Sequence, residues 1–370
     1  MKRVVLVGYY GFNNTGDEAI LYSIIRSMKQ RDKNVEITVL SNNPEKTSKV
    51  YGVKARNRWK WLEVLSTVFN HDILVFGGGS LLQDVTSTRS LDYYLMIARV
   101  AVLLRKKVYF MAQGIGPFKQ KRSREKVVSL LNRVDVITVR DRDSKQELLD
   151  LGVTKPQLEV TADGVFSLYR NEVEKHPGEK VLARNGIEGE KLNRLIGFSV
   201  RDWADLSNYK NILAKLADAL TGSGYQVVFV PFHFPDDVSC ARDIAKLMVE
   251  DAVVMKEQYN TVEMLGIIEK MDLFIGMRMH SIVMASIMGV PAIGLSYDPK
   301  IEAAVQATGQ TFGGRVENLD IDKLLHTAKE LLMDRDASSV AILERVDKLR
   351  SRSRKNMDIL VDLMGKKRHE

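Results

Sequence analysis

Cysteine is almost absent from this 370-residue chain: Cys240 stands alone, which excludes an internal disulfide and suits a reducing compartment. Nothing around Cys240 would activate a thiol, so a plain helix position is its expected role. Long apolar runs are also missing. The best candidate, residues 281–295, is short and holds Gly289 and Pro291, so no membrane span is expected. The opening MKRVVLVGYYG enters a strand at once without a small-residue cleavage site, so no signal peptide is expected and the location read from the sequence is cytoplasmic. There is no HExxH, no paired cysteines and no spaced carboxylate cluster, which leaves no metal site to expect. GxGxxG and Walker spacings are missing too, so no nucleotide cofactor follows from a fingerprint.

Positive charge, by contrast, is in excess. Fifty-five Lys and Arg against 47 Asp and Glu give a net charge of +8 and imply an anionic partner. The basic residues cluster at 119–126 (KQKRSREK), 348–355 (KLRSRSRK) and 365–370 (GKKRHE). These clusters lack interleaved aromatics and accompany no nucleic-acid motif, so nucleic acid is not expected as a partner. Solvated helix faces explain them plainly; an anionic membrane surface explains them more sharply, at about 1 kcal/mol per basic side chain.

The chain is longer than one core usually organises. Apolar runs alternate with helical patterns throughout, the signature of βαβ units and parallel sheets. The first half carries RVVLVG, VEITVL, DILVFGG, KVYFMAQG, VDVITVRD and LEVTAD; the second carries LIGFSVRD, YQVVFVPF, AVVM, DLFIGM and PAIGLSYD. An Asp-led strand ending in glycine recurs at 72–77 and 272–276, which reads as two related Rossmann-type domains. The expected division is 1–170, a linker at 171–194, a second domain at 195–337, and a helical segment at 338–370 that either packs on the first domain or lies on the surface.

Residues 273–291 (LFIGMRMHSIVMASIMGVP) set Arg278 and His280 in the turn between an apolar strand and a helix, where an α/β sheet exposes its strand ends. The next strand end delivers Tyr297, Asp298 and Lys300, and FSVRDW places Arg201 at a similar edge. A core histidine is the plain alternative for His280; an imidazole beside cations is the chemical one. In the first half, GYYGFNNTGDEAI joins a strand to a helix through Gly8, Gly11 and Gly16, a form that can bring backbone N–H groups to a phosphate. Asp17 and Glu18 there are expected to satisfy the helix dipole rather than to bind a metal. GGGSLLQD (77–84) and AQGIGPF (112–118) end the following strands, and VRDRDS offers Arg140 and Arg142, arginines suited to bidentate capture of a carboxylate or phosphate.

Together, GYYGFNNTGDEAI, VFGGGSLLQD, AQGIGPF, VRDRDS, the pair Asp163–Gly164, FSVRDW, GMRMHSIVMA and LSYDPK resemble the polysaccharide pyruvyl transferase family, closest to the bacterial cell-wall enzymes that modify the secondary polymer anchoring surface-layer proteins. The resemblance spans residues 8–300. It implies an α/β, glycosyltransferase-B-like fold, two Rossmann-type domains facing across a cleft. It implies phosphoenolpyruvate as a co-substrate with no other cofactor and no metal, and a lipid-diphosphate-linked disaccharide as acceptor, pyruvylated at the 4- and 6-hydroxyls of a β-linked N-acetylmannosamine. His280 becomes the catalytic residue, and Arg140, Arg278 and Lys300, with Arg201, the donor-binding cations. Gly11, Asn14, Gly16, Asp17, Gly78, Gly79, Ser80 and Gln113 become the acceptor and diphosphate side, with His233 in VPFHF a further candidate for holding a diphosphate. Three other readings are open: a glycosyltransferase using a nucleotide sugar, a silent carbohydrate or lipid-diphosphate binder, and more distantly a nicotinamide oxidoreductase.

Overall fold

The computed structural model describes residues 2–365 except 86, 173–176 and 205. The chain forms two compact units, residues 1–167 with 349–370, and 168–348. Most of the basic stretch at 365–370 lies outside the described residues.

Unit 1 is built on a parallel sheet of β1 (Arg3–Val7), β2 (Glu36–Ser41), β3 (Lys54–Asn57), β4 (Ile73–Leu82), β5 (Lys107–Ile115), β6 (Val136–Val139) and β7 (Gln157–Val160), in the order β3-β2-β1-β4-β5-β6-β7. Its crossovers are α1 (Thr15–Arg31), α2 (Pro44–Tyr51), α3 (Trp61–Phe69), α4 (Thr88–Leu103), α5 (Lys121–Leu131) and α6 (Arg142–Asp150). The central strands are apolar at nearly every position because helices cover the sheet on both faces. Phe76 of β4 and Phe110 of β5 stack at 4.3 Å in this core. Strand order reverses between β1 and β4, so the carboxyl ends of these two strands flank the crevice where ligands bind in such sheets.

Unit 2 opens with α7 (Pro177–Arg184) and continues through β8 (Leu195–Ser199), α8 (Asn208–Thr221), β9 (Gln226–Phe229), α9 (Asp236–Ala245), β10 (Val253–Val254), α10 (Thr261–Glu269), β11 (Leu273–Gly276), α11 (Met279–Met288), β12 (Ala292–Ser296), α12 (Pro299–Thr308), β13 (Thr311–Arg315) and α13 (Ile321–Met333). The sheet order is β10-β9-β8-β11-β12-β13, with the same reversal between β8 and β11. A last helix, α14 (Arg335–Gly365), gives its first part to unit 2 and its remainder to unit 1.

Two expectations about domain limits are corrected. The stretch 171–194 is not a linker: within its described part, α7 packs on α10 so closely that a Cβ on Gly178 would lie 1.9 Å from the Gly266 carbonyl oxygen. The last boundary falls inside α14 at 348/349 rather than at 337/338. Past that point α14 is bound to unit 1 by polar side chains. Asn356 accepts from Thr138 (2.7 Å) and Thr161 (2.8 Å) and donates to the Ala162 carbonyl (3.0 Å), while Arg352 donates to the Thr161 carbonyl at 2.6 Å.

Candidate active site

The unit 2 site grows from three strand ends. β8 runs out at Ser199, and Arg201 follows two residues later. β11 ends at Gly276, where a Cβ would meet the Ser281 hydroxyl at 2.2 Å; glycine thus lets the first turn of α11 settle onto the strand. That turn has Arg278 at its N-cap position and His280 as its second residue, half-buried, at the positive end of the helix. β12 ends at Ser296 and delivers Tyr297, Asp298 and Lys300, Asp298 capping α12 by accepting the Lys300 backbone N–H at 3.0 Å.

Tyr297 ties these cations together. Arg201 donates to its hydroxyl at 2.7 Å and lies 4.6 Å from its ring centroid, and Trp203 covers the ring at 4.4 Å. Lys300 Nζ sits 5.8 Å from the same ring and 3.1 Å from Asp298. Arg278 is fixed from beneath by Asp237, whose carboxylate takes both Nε (3.1 Å) and Nη2 of the guanidinium. Burial by itself would weaken the charge on Arg278, but Asp237 outweighs it and holds the guanidinium above its ordinary pKa. Asp237 Oδ2 also accepts the backbone N–H groups of Phe232 (3.1 Å) and His233 (2.8 Å), which locks the VPFHF turn to Arg278. The His233 ring pairs with exposed Asp236 at 3.1 Å.

Arg140 lies in unit 1, whereas Arg201, Arg278, Lys300 and His280 lie in unit 2. It follows β6 and reaches across Gly114, where a Cβ would sit 2.5 Å from its Nη2, to donate to Ser80 Oγ at 3.2 Å. Asp163 lies 3.9 Å from it and Asp141 3.6 Å. Arg142 instead opens α6 on the exposed side, so Arg140 is the arginine gathered into the strand-end cluster.

The first glycine-rich turn departs from the expected open phosphate cradle. Asn14 caps α1 by accepting from Gly16 N (3.0 Å) and Asp17 N (3.4 Å), and Glu18 accepts the Gly11 N–H at 2.8 Å. The N–H groups of Gly11, Gly16 and Asp17 are therefore engaged by the chain's own side chains. Desolvation raises the Glu18 pKa against the opposing effect of a hydrogen bond from Tyr51 (2.5 Å). Gly78 and Gly79 adopt positive φ (57° and 78°), which favours glycine at both, and a Cβ on Gly78 would also strike Ile20 of α1 at 2.7 Å. Gln113 is fully buried and donates to the carbonyls of Phe76 (2.9 Å) and Met111 (3.0 Å), bracing neighbouring strands. Of the acceptor set, Ser80 accepts from Arg140.

Sequence reasoning missed Asp237. Its only signal was position, an acidic pair just past the end of the strand next to β8. Among the described residues no group of three or more His, Cys, Asp or Glu could hold a metal, and no helix is long and apolar enough to cross a membrane.

Two parallel-sheet units with candidate sites at their order reversals define a glycosyltransferase-B-like protein of two Rossmann-type domains. Solved structures agree. The chain is similar to UDP-GlcNAc 2-epimerase from Neisseria meningitidis bound to UDP-GlcNAc, with TM-score 0.67 and 14% identity over 98% of this chain and 100% of that one. It is likewise similar to Anabaena Alr3699/HepE in complex with UDP-glucose, with TM-score 0.65 and 13% identity over 97% and 99%. Both likenesses speak to fold alone. The polysaccharide pyruvyl transferase family matches residues 14–299, and the chain belongs to it. The amylovoran biosynthesis protein AmsJ of Erwinia amylovora is 23% identical over 363 residues, 83% of this chain and 86% of that protein. The protein is accordingly a transferase of the pyruvyl-transfer kind, acting on polysaccharide.

Proposed function

We propose that the protein transfers pyruvate from phosphoenolpyruvate to a β-N-acetylmannosamine-type sugar of a lipid-linked cell-wall polysaccharide precursor, closing a 4,6-ketal of the kind found on surface-layer-anchoring polymers. The observation that carries this reading is the set of three cations, Arg201, Arg278 and Lys300, gathered around the end of β12 with His280 at the adjoining helix N-terminus. Phosphoenolpyruvate presents a carboxylate and a phosphate of about −1.5 to −2 charge, which call for several fixed cations. Arg140 is proposed as a fourth donor cation, carried on unit 1. Family membership supports the pyruvyl chemistry.

In the proposed reaction, the enol methylene of phosphoenolpyruvate gains a proton and its C2 becomes oxocarbenium-like. One sugar hydroxyl adds to C2 and gives up its proton. Phosphate then leaves with its bonding electron pair, and the second hydroxyl adds to C2 and loses its proton. The net change is donor plus diol to ketal plus inorganic phosphate. His280 is the group proposed to deliver or accept these protons, since an imidazole can act as either general acid or general base. Arg278 and Lys300 are proposed to stabilise the departing phosphate. The proposed setting is cytoplasmic, at the inner face of a membrane holding the acceptor. Mass analysis of a lipid-diphosphate disaccharide incubated with phosphoenolpyruvate, or with a nucleotide sugar, tests the reading. Addition of a pyruvyl ketal supports it; glycosylation from the nucleotide sugar alone would replace it with glycosyl transfer.

A further inference from the structure

Two helices of unit 1 carry an outward apolar face that the core does not use. α3 places Leu62, Leu65, Ser66 and Phe69 at helical spacing on one side, while Val64 and Val68 are buried on the other. α4 does the same with Met96 and Leu103, Val100 lies half-buried between them and the core, and Ile97, Ala98 and Ala101 turn inward. Five large apolar side chains on this face are exposed: Leu62 at 82%, Leu103 at 71%, Phe69 at 63%, Met96 at 45% and Leu104 at 38%. Between the helices runs a groove of about 430 Å³, lined by Leu65, Ser66, Phe69, Val100, Leu103 and Leu104. Contiguous apolar surface of this kind marks an interaction site.

The charges around it that lack an ion-pair partner among the described residues are positive. Arg99 shares the exposed stripe of Met96 and Leu103, and Arg105 follows the helix; both are exposed, and neither has a carboxylate partner among the described residues. Lys106 lies against the Phe69 ring, its ammonium donating to the Phe69 carbonyl at 2.7 Å. The acids nearby are neutralised, Asp92 by Lys126 at 2.6 Å and Glu63 by Lys60 at 3.2 Å. A symmetric contact with a second copy would set these cations against their own kind. An anionic lipid surface satisfies both features, taking apolar side chains among its acyl chains and cations at its phosphates.

We propose that the α3–α4 face of unit 1 docks on an anionic phospholipid bilayer, with Leu62, Phe69 and Leu103 inserted and Arg99, Arg105 and Lys106 at the headgroups. This deepens the proposed function by naming the surface that brings the enzyme to a lipid-linked acceptor. It also moves the membrane contact away from the basic cluster at 119–126, where Lys126 is engaged by Asp92 and Arg124 by the Phe118 carbonyl at 2.8 Å.

Co-sedimentation of the full chain with vesicles tests it, comparing phosphatidylcholine alone with phosphatidylcholine mixed with phosphatidylglycerol. The wild type binds the anionic vesicles more tightly. Phe69→Glu/Leu103→Glu weakens that binding by about tenfold or more, and Arg99→Glu/Arg105→Glu removes the preference for anionic lipid. Lys121→Glu/Arg122→Glu changes little. These side chains are exposed, so the melting curves of the variants stay at the wild-type value. Wild-type binding retained by Phe69→Glu/Leu103→Glu overturns the proposal, as does a wild type that binds neither vesicle. A solution dimer dissociated by Phe69→Glu/Leu103→Glu would assign the face to a second copy instead. No donor or sugar enters the assay, so this result and the result for pyruvyl transfer are read independently.

Discussion

Replacing Asp237 by asparagine isolates the contact that holds Arg278 in place. The side chain keeps its size but loses the charge that faces the guanidinium. In the folded protein the Asp237 side chain is only 2% exposed and that of Arg278 15%, so water cannot take over the lost partner. Removing one member of a buried pair costs about 3–5 kcal/mol. The retained amide oxygen can still accept from Phe232 or His233, which places the expected loss near the lower end, about 3 kcal/mol, or roughly a hundredfold in the folding equilibrium. Urea unfolding followed by Trp203 fluorescence, in a Trp59→Phe/Trp61→Phe background, reports on unit 2 alone. Asp236→Asn is the matched control: its carboxylate is 70% exposed, so a change within about 0.5 kcal/mol is expected. A loss for Asp237→Asn no larger than that of Asp236→Asn would refute the claim that this pair anchors the site. The KM for phosphoenolpyruvate should rise more than kcat falls, because the variant frees Arg278 to leave its position.

Gly178→Ala should cost about 1–3 kcal/mol, because the new methyl meets the Gly266 backbone at 1.9 Å; an unchanged urea midpoint would count against the tight α7–α10 contact. Gly114→Ala pushes Arg140 off Ser80, and a fall in turnover at unchanged melting temperature is expected; equal turnover would show that Arg140 is not needed there. Burial pushes the Cys240 thiol up to about 12, so iodoacetamide at pH 8 should leave the native protein unmodified and label it fully once unfolded. The folded thiol keeps its proton after the unfolded one has lost it, so this residue's contribution to stability declines as pH climbs from its ordinary value of 9.0 towards 12; Cys240→Ala should flatten that part of the stability curve.

The strands with continuous apolar runs, such as β4 and β11, were legible because burial on both sheet faces leaves few other uses for such a run. β3 (KARN) and β13 (TFGGR) were not, since edge strands carry polar residues and glycine and lack the pattern. The segment 171–194 looked like a linker for its charge and Pro177, yet a glycine pair draws α7 into unit 2. The placement of Arg201, Arg278, His280 and Lys300 was readable because each follows a strand end at the carboxyl edge of one sheet. Asp237 was not, because its role depends on the neighbouring strands β8 and β9 bringing its helix beside Arg278, a relation no local spacing records. The glycine turn after β1 was visible in sequence, but the hydrogen bonds that Asn14 and Glu18 accept from its Gly11, Gly16 and Asp17 N–H groups were visible only in three dimensions.

Phosphate release from phosphoenolpyruvate by the purified protein, with and without a lipid-diphosphate disaccharide containing N-acetylmannosamine, tests the central claim most directly. Acceptor-dependent release by the wild type, lost in His280→Ala at an unchanged melting temperature, is the result expected. Substantial release by His280→Ala would contradict the assigned role of His280, and failure of the wild type to bind phosphoenolpyruvate at all would contradict pyruvyl transfer from this donor.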